Sequence, residues 1–552
     1  MRKHLRRMAI ASCIALLISG CGVQNIPGIP ETTQSGTEAE ESTAAETESS
    51  EENKTPVSSE KIEQLSFECK PNYDYVYKDP KAESDSKLIA IGHYPSIRLG
   101  FYEDGDFKEY DDIYEKLSAS LLDYTRAKEK EFKSFVTECR EVAEEDERFK
   151  DNSENSYDHY YAVDMDATVT RSDSVVFSIF DTTYLEMNGP HPNTTFDSYN
   201  IDSQTGKLLK ISDVVTDKDA FIDAVDKKLH EDYPDLDNEL FDPDLKGTLS
   251  DMYDEKDGLT LTFNLTYDSL VVSFAAYELA SYAVGPKESV LSFKEYGDLI
   301  DERFTKTADN FAFAVSTRTP YSFEADDGSV KTLTVDYEPS QGEYMDDCYD
   351  ITITLDGKEF TDTIQYTYGI YPYLMYQDKK LFLFVRSKSD NDYEFTSIYD
   401  LNGDKAFKVE DSMDGSFYST IPVDPDDFIM YTRSALLSTY TIFRHYELDS
   451  DGRPLPKTEE WWIQTDIELK LKKPLTLSIM DDLTRDGIDN GKDEKLPEGA
   501  VLKPKRTNGY SWVDAETEDG RFARIYVENS DWPQTVDGTD IEQIFDGIIF
   551  AG

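Results

Sequence analysis

The second half of the chain is a succession of short alternating runs broken by turn dipeptides, and that pattern leaves few folds open. From Asn310 onward, apolar and polar residues alternate over 333–337, 349–355, 381–385, 395–399, 428–431, 440–448 and 461–471. Between the runs lie Asp356-Gly357, Asn402-Gly403, Asp414-Gly415 and Asp451-Gly452. A period of two gives each run one apolar face, and these dipeptides accept the positive φ of tight hairpins. The pattern predicts an all-β domain over 309–490, either a sandwich or a partial propeller.

The preceding stretch reads differently. Ile113, Leu117, Leu121, Tyr124, Phe135, Cys139 and Val142 recur at three- and four-residue spacing through a charged segment, which predicts a long amphipathic helix. Cys139 falls on the apolar stripe and is expected to be a buried, inert thiol. A second helix is expected over 218–231, with Phe221, Val225 and Leu229 one turn apart and Thr216 or Asp217 as its cap. Strands are expected at 90–97, 162–170, 174–182 and 269–276, and a half-buried one at 259–265. The fold class is thus an α+β N-terminal domain, with one or two helices on a mostly antiparallel sheet, then the all-β domain and a small β-barrel-like C-terminal module.

The N-terminus indicates where the chain resides. Arg2, Lys3, His4, Arg6 and Arg7 precede a short apolar core at 8–18, which ends in Ser19-Gly20-Cys21. Such a core is too short for a stable span and fits a signal peptide, residues 1–20. Small residues directly before Cys21 resemble the lipobox of bacterial lipoproteins, which implies cleavage before Cys21 and lipidation of its thiol. Two acyl chains hold a protein firmly where one holds it marginally, so a lipid-anchored, extracytoplasmic location on the outer face of the bacterial membrane is expected. Cys13 leaves with the signal peptide; Cys69, Cys139 and Cys348 remain, an odd number. Residues 21–64 are rich in Ser, Thr, Ala and Glu and form an acidic, extended tether. A formal net charge of -57 repels phosphate backbones, so no nucleic acid partner is expected, while a basic protein would be attracted.

Two segments carry a family resemblance. One is Met187-Asn188-Gly189-Pro190-His191-Pro192-Asn193-Thr194, running into Phe196-Asp197-Ser198-Tyr199-Asn200-Ile201-Asp202 and then Thr205-Gly206-Lys207. The other is Tyr277-Glu278-Leu279-Ala280-Ser281-Tyr282-Ala283-Val284-Gly285-Pro286. Together they resemble the extracellular domain of the RsiV anti-sigma factor family, which is also appended to some peptidoglycan deacetylases; residues 88–152 look like the companion domain that usually precedes it. The likeness covers residues 65–308, in two parts of about 65–155 and 156–308. It implies capture of an extracellular protein, with lysozyme the leading candidate, and His191, Asn193, Tyr199 and Tyr282 as candidate ligand contacts. The chain has no segment matching the cytoplasmic and membrane-spanning parts of that family, so sigma-factor control does not carry over.

Catalysis is not expected. The deacetylase pattern fails because Thr195-Phe196-Asp197 continues into Ser198-Tyr199, and no histidines stand three or four apart to share a metal. No nucleophile elbow, phosphate loop or dinucleotide fingerprint appears, so neither metal nor cofactor is expected. The run Asp482-Leu483-Thr484-Arg485-Asp486-Gly487-Ile488-Asp489-Asn490 distantly resembles a calcium loop, but Thr484 replaces a carboxylate and Arg485 intrudes; an acidic linker is the expected reading. Residues 491–552, with short strands, Gly turns and Trp512 and Trp532, resemble bacterial SH3-type wall-associated modules. The two tryptophans serve either as core or as platforms for sugars of a cell-wall glycan, and residues 544–550 are expected to dock rather than dangle.

Overall fold

The computed structural model describes residues 61–550 apart from 78–87, 111, 146–160, 188–190, 316–319, 326–327, 342–347, 368, 390–392, 418–420, 422 and 530–531. The signal segment, Cys21 and the tether up to residue 60 lie outside the described residues. The chain is mostly β, in several sheets, with a few helices.

The first sheet is built from β1 (Phe67–Tyr77), β2 (Leu88–Leu99), β5 (Tyr161–Ser172), β6 (Val176–Glu186) and β7 (Asn193–Asp202), in the order β1-β2-β5-β6-β7. Between β2 and β5 come a small hairpin, β3 (Phe101–Glu103) with β4 (Asp106–Lys108), and helix α1 (Glu115–Glu145). Because α1 carries the chain back over the sheet, β2 and β5 pair in parallel, while every other pair is antiparallel. The helix buries Leu117, Leu121, Tyr124, Phe132, Phe135, Val136 and Cys139. Ile113 and Val142 do not join that stripe: Ile113 is 73% exposed in the 3-10 turn before α1, and Val142 is also exposed, near its far end. Gly92 is required where helix meets sheet, since a Cβ there would sit 3.0 Å from Phe132 Cε2 and closer still to the Val163 carbonyl. The sheet draws strands from both sides of residue 155, so the division expected there runs through one continuous sheet.

Helix α2 (Lys218–Asp232) begins at Asp217, whose carboxylate accepts the Ala220 N–H. With α3 (Leu245–Tyr253) it covers a three-stranded sheet of β8 (Thr262–Leu265), β9 (Ser269–Phe274) and β10 (Lys287–Ser292), in the order β10-β9-β8. The strand expected over 259–265 is shorter and buried on both faces rather than half-buried. Helices cover one side of β8, and the first sheet covers the other: Asn200 Nδ2 donates to the Phe263 carbonyl at 2.7 Å, and the Leu265 N–H donates to Ser178 Oγ at 3.0 Å. Arg171 ties the first sheet to the segment that follows β10. It is fully buried, and its guanidinium donates to Asp173 at 2.7 Å and to the Phe304 and Lys306 carbonyls at 2.5 and 2.6 Å.

Next come β11 (Phe311–Ala314), β12 (Tyr321–Glu324), β13 (Val330–Pro339), β14 (Cys348–Leu355), β15 (Lys358–Gln365), β16 (Gly369–Gln377), β17 (Lys380–Lys388), β18 (Glu394–Asp400) and β19 (Phe407–Asp414). They form two sheets, β12-β13-β14-β15 and β11-β16-β17-β18-β19, which share a core including Val335, Ile353, Leu374 and Leu383. Two facing sheets around one core make a sandwich. Asp356 and Gly357, at φ 49 and 74, turn β14 into β15.

The last sheet contains β20 (Phe428–Ser434), β21 (Tyr440–Leu448), β22 (Pro454–Pro456), β23 (Trp461–Gln464), β24 (Leu469–Leu471), β25 (Leu475–Met480), β26 (Lys492–Leu496), β27 (Val501–Thr507), β28 (Trp512–Thr517), β29 (Phe522–Tyr526) and β30 (Phe545–Asp546). Its path is β20-β21-β23-β27-β28-β29-β25-β26, with β24 bridging β27 and β30. The run expected over 461–471 splits into β23 and β24. Strands on both sides of residue 490 belong to this one sheet, and no closed barrel is found among the described residues. The C-terminal segment is tied down by Phe545, which is buried, and by the Thr439 N–H, which donates to the Ile549 carbonyl. The β3–β4 hairpin, a two-stranded sheet of its own, reaches the last sheet, where it lays Gly105, at φ 84, against Trp462. No described helix is long and apolar enough to cross a membrane.

Candidate functional site

The loop before β7 and the turn after β9 meet in space. Past Phe274 the chain makes a tight turn: Tyr277 adopts φ 72, and its N–H donates to the Ala280 carbonyl at 3.0 Å. A bulky residue held at positive φ is strained, and the surrounding bonds must over-determine it. Glu278 supplies one, its carboxylate accepting the Ala275 N–H at 3.0 Å. Burial pushes the Glu278 carboxyl up to about 7, and nearby Asp197 adds to the rise. A 3-10 turn at Tyr282–Val284 then leads to Gly285 at φ 75.

His191 bridges the two segments. Its ring lies 3.7 Å from the Tyr282 ring, centroid to centroid, at an interplanar angle of 12°. Nε2 is 2.9 Å from the Tyr277 hydroxyl, and Nδ1 is 2.8 Å from the Pro192 carbonyl. A carbonyl only accepts, so Nδ1 carries a proton and donates to Pro192, and in the neutral ring Nε2 accepts from the Tyr277 hydroxyl. The result is a preorganised aromatic rim, with Tyr282 37% exposed. Tyr184 on β6 lies within electrostatic reach of Tyr282 and of Asp164 and Glu186; burial first, then these neighbours, raises its hydroxyl pKa.

Of the sequence-derived candidates, His191 and Tyr282 therefore stand together. Asn193 opens β7, opposite Leu185 on β6. Tyr199 is elsewhere. It lies six residues further along β7, roughly 20 Å at strand rise, on the face beneath α1. There its ring is 4.9 Å from Tyr124 and 5.3 Å from Lys128 Nζ. That pocket holds a buried charge pair, Lys128 Nζ to Asp181 at 2.9 Å, with the Tyr124 hydroxyl donating to Asp181 at 2.7 Å. Burial raises the Asp181 carboxyl to about 6 against the pull of Lys128. Tyr199 thus shapes the core under the helix and not the His191 rim.

Sequence reasoning missed two features. Tyr277 sits inside a recognised motif but is distinguished only by its backbone conformation. His93 on β2 is clamped between Asp164 and Asp166 of β5, at 3.1 and 2.9 Å. Burial alone would lower its pKa; the two aspartates outweigh that and raise it to about 9. No sequence spacing encodes this contact, because α1 separates the strands that make it. A groove of about 550 Å3 also runs between β2 and α1, lined by Ile97, Arg98, Leu99, Leu122 and Thr125. At its mouth the buried Glu68 accepts from Lys70 at 2.8 Å and from Arg98 at 3.0 Å.

The residues that resemble a calcium loop are spent on local structure: Asp482 accepts the Thr484 N–H at 2.9 Å, and Thr484 caps a short helix, Arg485–Asp489. Among the described residues no group of three or more His, Cys, Asp and Glu is arranged to hold a metal ion. Trp512 is half-buried, with the Arg524 guanidinium 4.1 Å from its ring, whereas Trp532 is 57% exposed and meets Phe550 edge to face at 5.2 Å.

No family model matches this chain, and no curated protein does. Two solved structures are similar over part of it. One is a member of the DUF3298 family from Bacteroides fragilis, 16% identical, covering 44% of this chain and 96% of its own, at a TM-score of 0.31. The other is a DUF3298 family protein from Pseudomonas aeruginosa, 12% identical, covering 43% of this chain and 96% of its own, at a TM-score of 0.27. Likenesses this distant carry no argument about function.

Proposed function

We propose that this chain is a lipid-anchored bacterial surface protein, attached through Cys21, that binds an extracellular protein through residues 65–308 and performs no catalysis. The preferred partner is a basic protein such as lysozyme. The observation that supports this reading is the seating of His191 on Tyr282 and Tyr277. It joins the two segments that carry the family resemblance into one rigid aromatic rim, and such rims contribute large contact area at low entropic cost. The charge of -57 would steer a cationic partner toward it.

A second reading assigns binding to a wall glycan and to the C-terminal residues 491–552, read as an SH3-like module. Two observations favour it: the exposed Trp532–Phe550 pair and a rolled run of strands in which β29 returns to pair with β25.

Calorimetric titration separates the two. The chain from Gly22 onward is titrated with lysozyme at low and physiological salt, beside a similarly basic control protein. Saturable binding at physiological salt that excludes the control, and that weakens in His191→Ala, supports capture. Binding only at low salt, or equal binding of the control, reduces the effect to charge attraction and moves the search to glycans and Trp532.

A further inference from the structure

The face of the first sheet opposite α1 has a covered end and an exposed end, and the exposed end is chemically distinctive. Side chains of paired strand residues share a face. On the helix face, Val163, Met165 and Leu185 belong to the core beneath α1. The opposite face carries a row across all five strands: Tyr73, His93, Asp164, Tyr184 and Thr194. The adjacent row is Tyr75, Ile91, Ala162 and Glu186. Further along the same face, Ser178 and Asn200 are roofed by β8. Toward Tyr73 and Tyr75 the face opens to solvent, with those rings 63% and 52% exposed and the Asp164 and Asp166 side chains 39% and 68% exposed. Thr194, which ends the row, lies three residues past His191, whose ring stacks on Tyr282, so the His191 rim borders this floor.

We infer that this open face, bordered by the His191 rim, is a docking surface for a basic protein partner, and that it recognises arginine side chains. The argument is charge and shape complementarity. Carboxylates set among exposed phenol rings match a guanidinium, which binds a carboxylate with two parallel hydrogen bonds and stacks its plane on an aromatic face. His93 holds both aspartates in place and offsets one negative charge, so with Glu186 the face stays acidic. Exposed tyrosines and a polar surround match the anatomy of protein interfaces, where aromatic residues are enriched. The inference rests on the capture reading above, and it adds which surface captures and which partner chemistry is read.

The test uses the full chain from Gly22 with lysozyme as the probe, at physiological salt. Tyr73→Thr with Tyr75→Thr removes the rings and keeps residues suited to a strand; Tyr526→Thr, an exposed position on β29 of the last sheet, is the control. Thermal melting of each variant confirms that it is folded. The expected result is at least a tenfold loss of affinity in the double variant, none in the control, and a comparable loss when the arginines of lysozyme are blocked with cyclohexanedione. Wild-type affinity in the folded double variant would overturn the surface assignment and leave capture standing. Undiminished binding of arginine-blocked lysozyme would overturn the guanidinium assignment. Failure of the unaltered chain to bind would overturn both the inference and the capture reading.

Discussion

His93 makes a sharp thermodynamic prediction, because its charge depends on the fold. Its ordinary pKa is 6.5, and between Asp164 and Asp166 it rises to about 9. A raised folded-state pKa means that the pair contributes stability fully below the unfolded value and loses it as pH climbs through the folded one. At about 1.4 kcal/mol per tenfold in acidity, that rise corresponds to roughly 3 kcal/mol. The side chain of Asp166 is 68% exposed, so solvent screens its share, and about 2 kcal/mol is the more realistic contribution. His93→Asn removes the charge and keeps a hydrogen-bonding side chain. The variant should be destabilised by about 2 kcal/mol near pH 6 and nearly isostable near pH 10. Tryptophan fluorescence would miss this, because all four tryptophans fall between residues 461 and 532. Amide hydrogen exchange of β2 and β5, in which local protection is read as free energy, reports the right sheet. A stability gap of the same size at both pH values would refute the ion-pair account and leave His93 a packing residue.

Two further predictions concern the scaffold. Arg171→Met leaves Asp173 charged, buried and without its cationic partner, and should cost about 4 kcal/mol in urea unfolding of the first two sheets. Adding Asp173→Asn should recover part of that loss, since an amide oxygen can still accept from the Val175 and Val176 N–H groups; no recovery would mean that the lost carbonyl contacts dominate. Removal from water pushes the thiols of the partly buried Cys69 and the buried Cys139 up to about 12, and Cys348 is buried. Ellman's reagent should therefore titrate none of the three in the native chain and all three in denaturant.

Where contacts are local, the sequence was a good guide. Helix α2 and its Asp217 cap follow from three- and four-residue periodicity and a carboxylate at the right place, and the β14–β15 hairpin follows from Asp356-Gly357. Tertiary context decided the rest. β1 escapes notice because Pro71 and its charged neighbours break the alternation. The β16–β17 turn escapes because Asp378 and Lys379 take positive φ without a glycine. The strand at β8 reads as half-buried because Thr262 and Asn264 alternate with apolar residues, yet both polar side chains are enclosed once the first sheet closes over them. At the candidate site, His191 and Tyr282 were legible through their motifs. Tyr199 was drawn in by the same motif, although strand alternation turns it toward α1.

The same geometry separates what charge does from what shape does. A net charge of -57 acts at long range, and screening confines it to about 8 Å at physiological salt. It would accelerate encounter with any cationic protein and would confer little selectivity. The stacked His191, Tyr277 and Tyr282 act only on contact, and dispersion and ring stacking are indifferent to salt. Selectivity in such an arrangement belongs to dissociation, which is set by how well a partner fits the rim and the tyrosine floor beside it. An acidic surface without that rim would collect basic proteins indiscriminately. On the capture reading proposed above, with the rim held by the Tyr277 turn and the partly buried Glu278, charge would bring candidates in and the aromatic contacts would decide which of them stay.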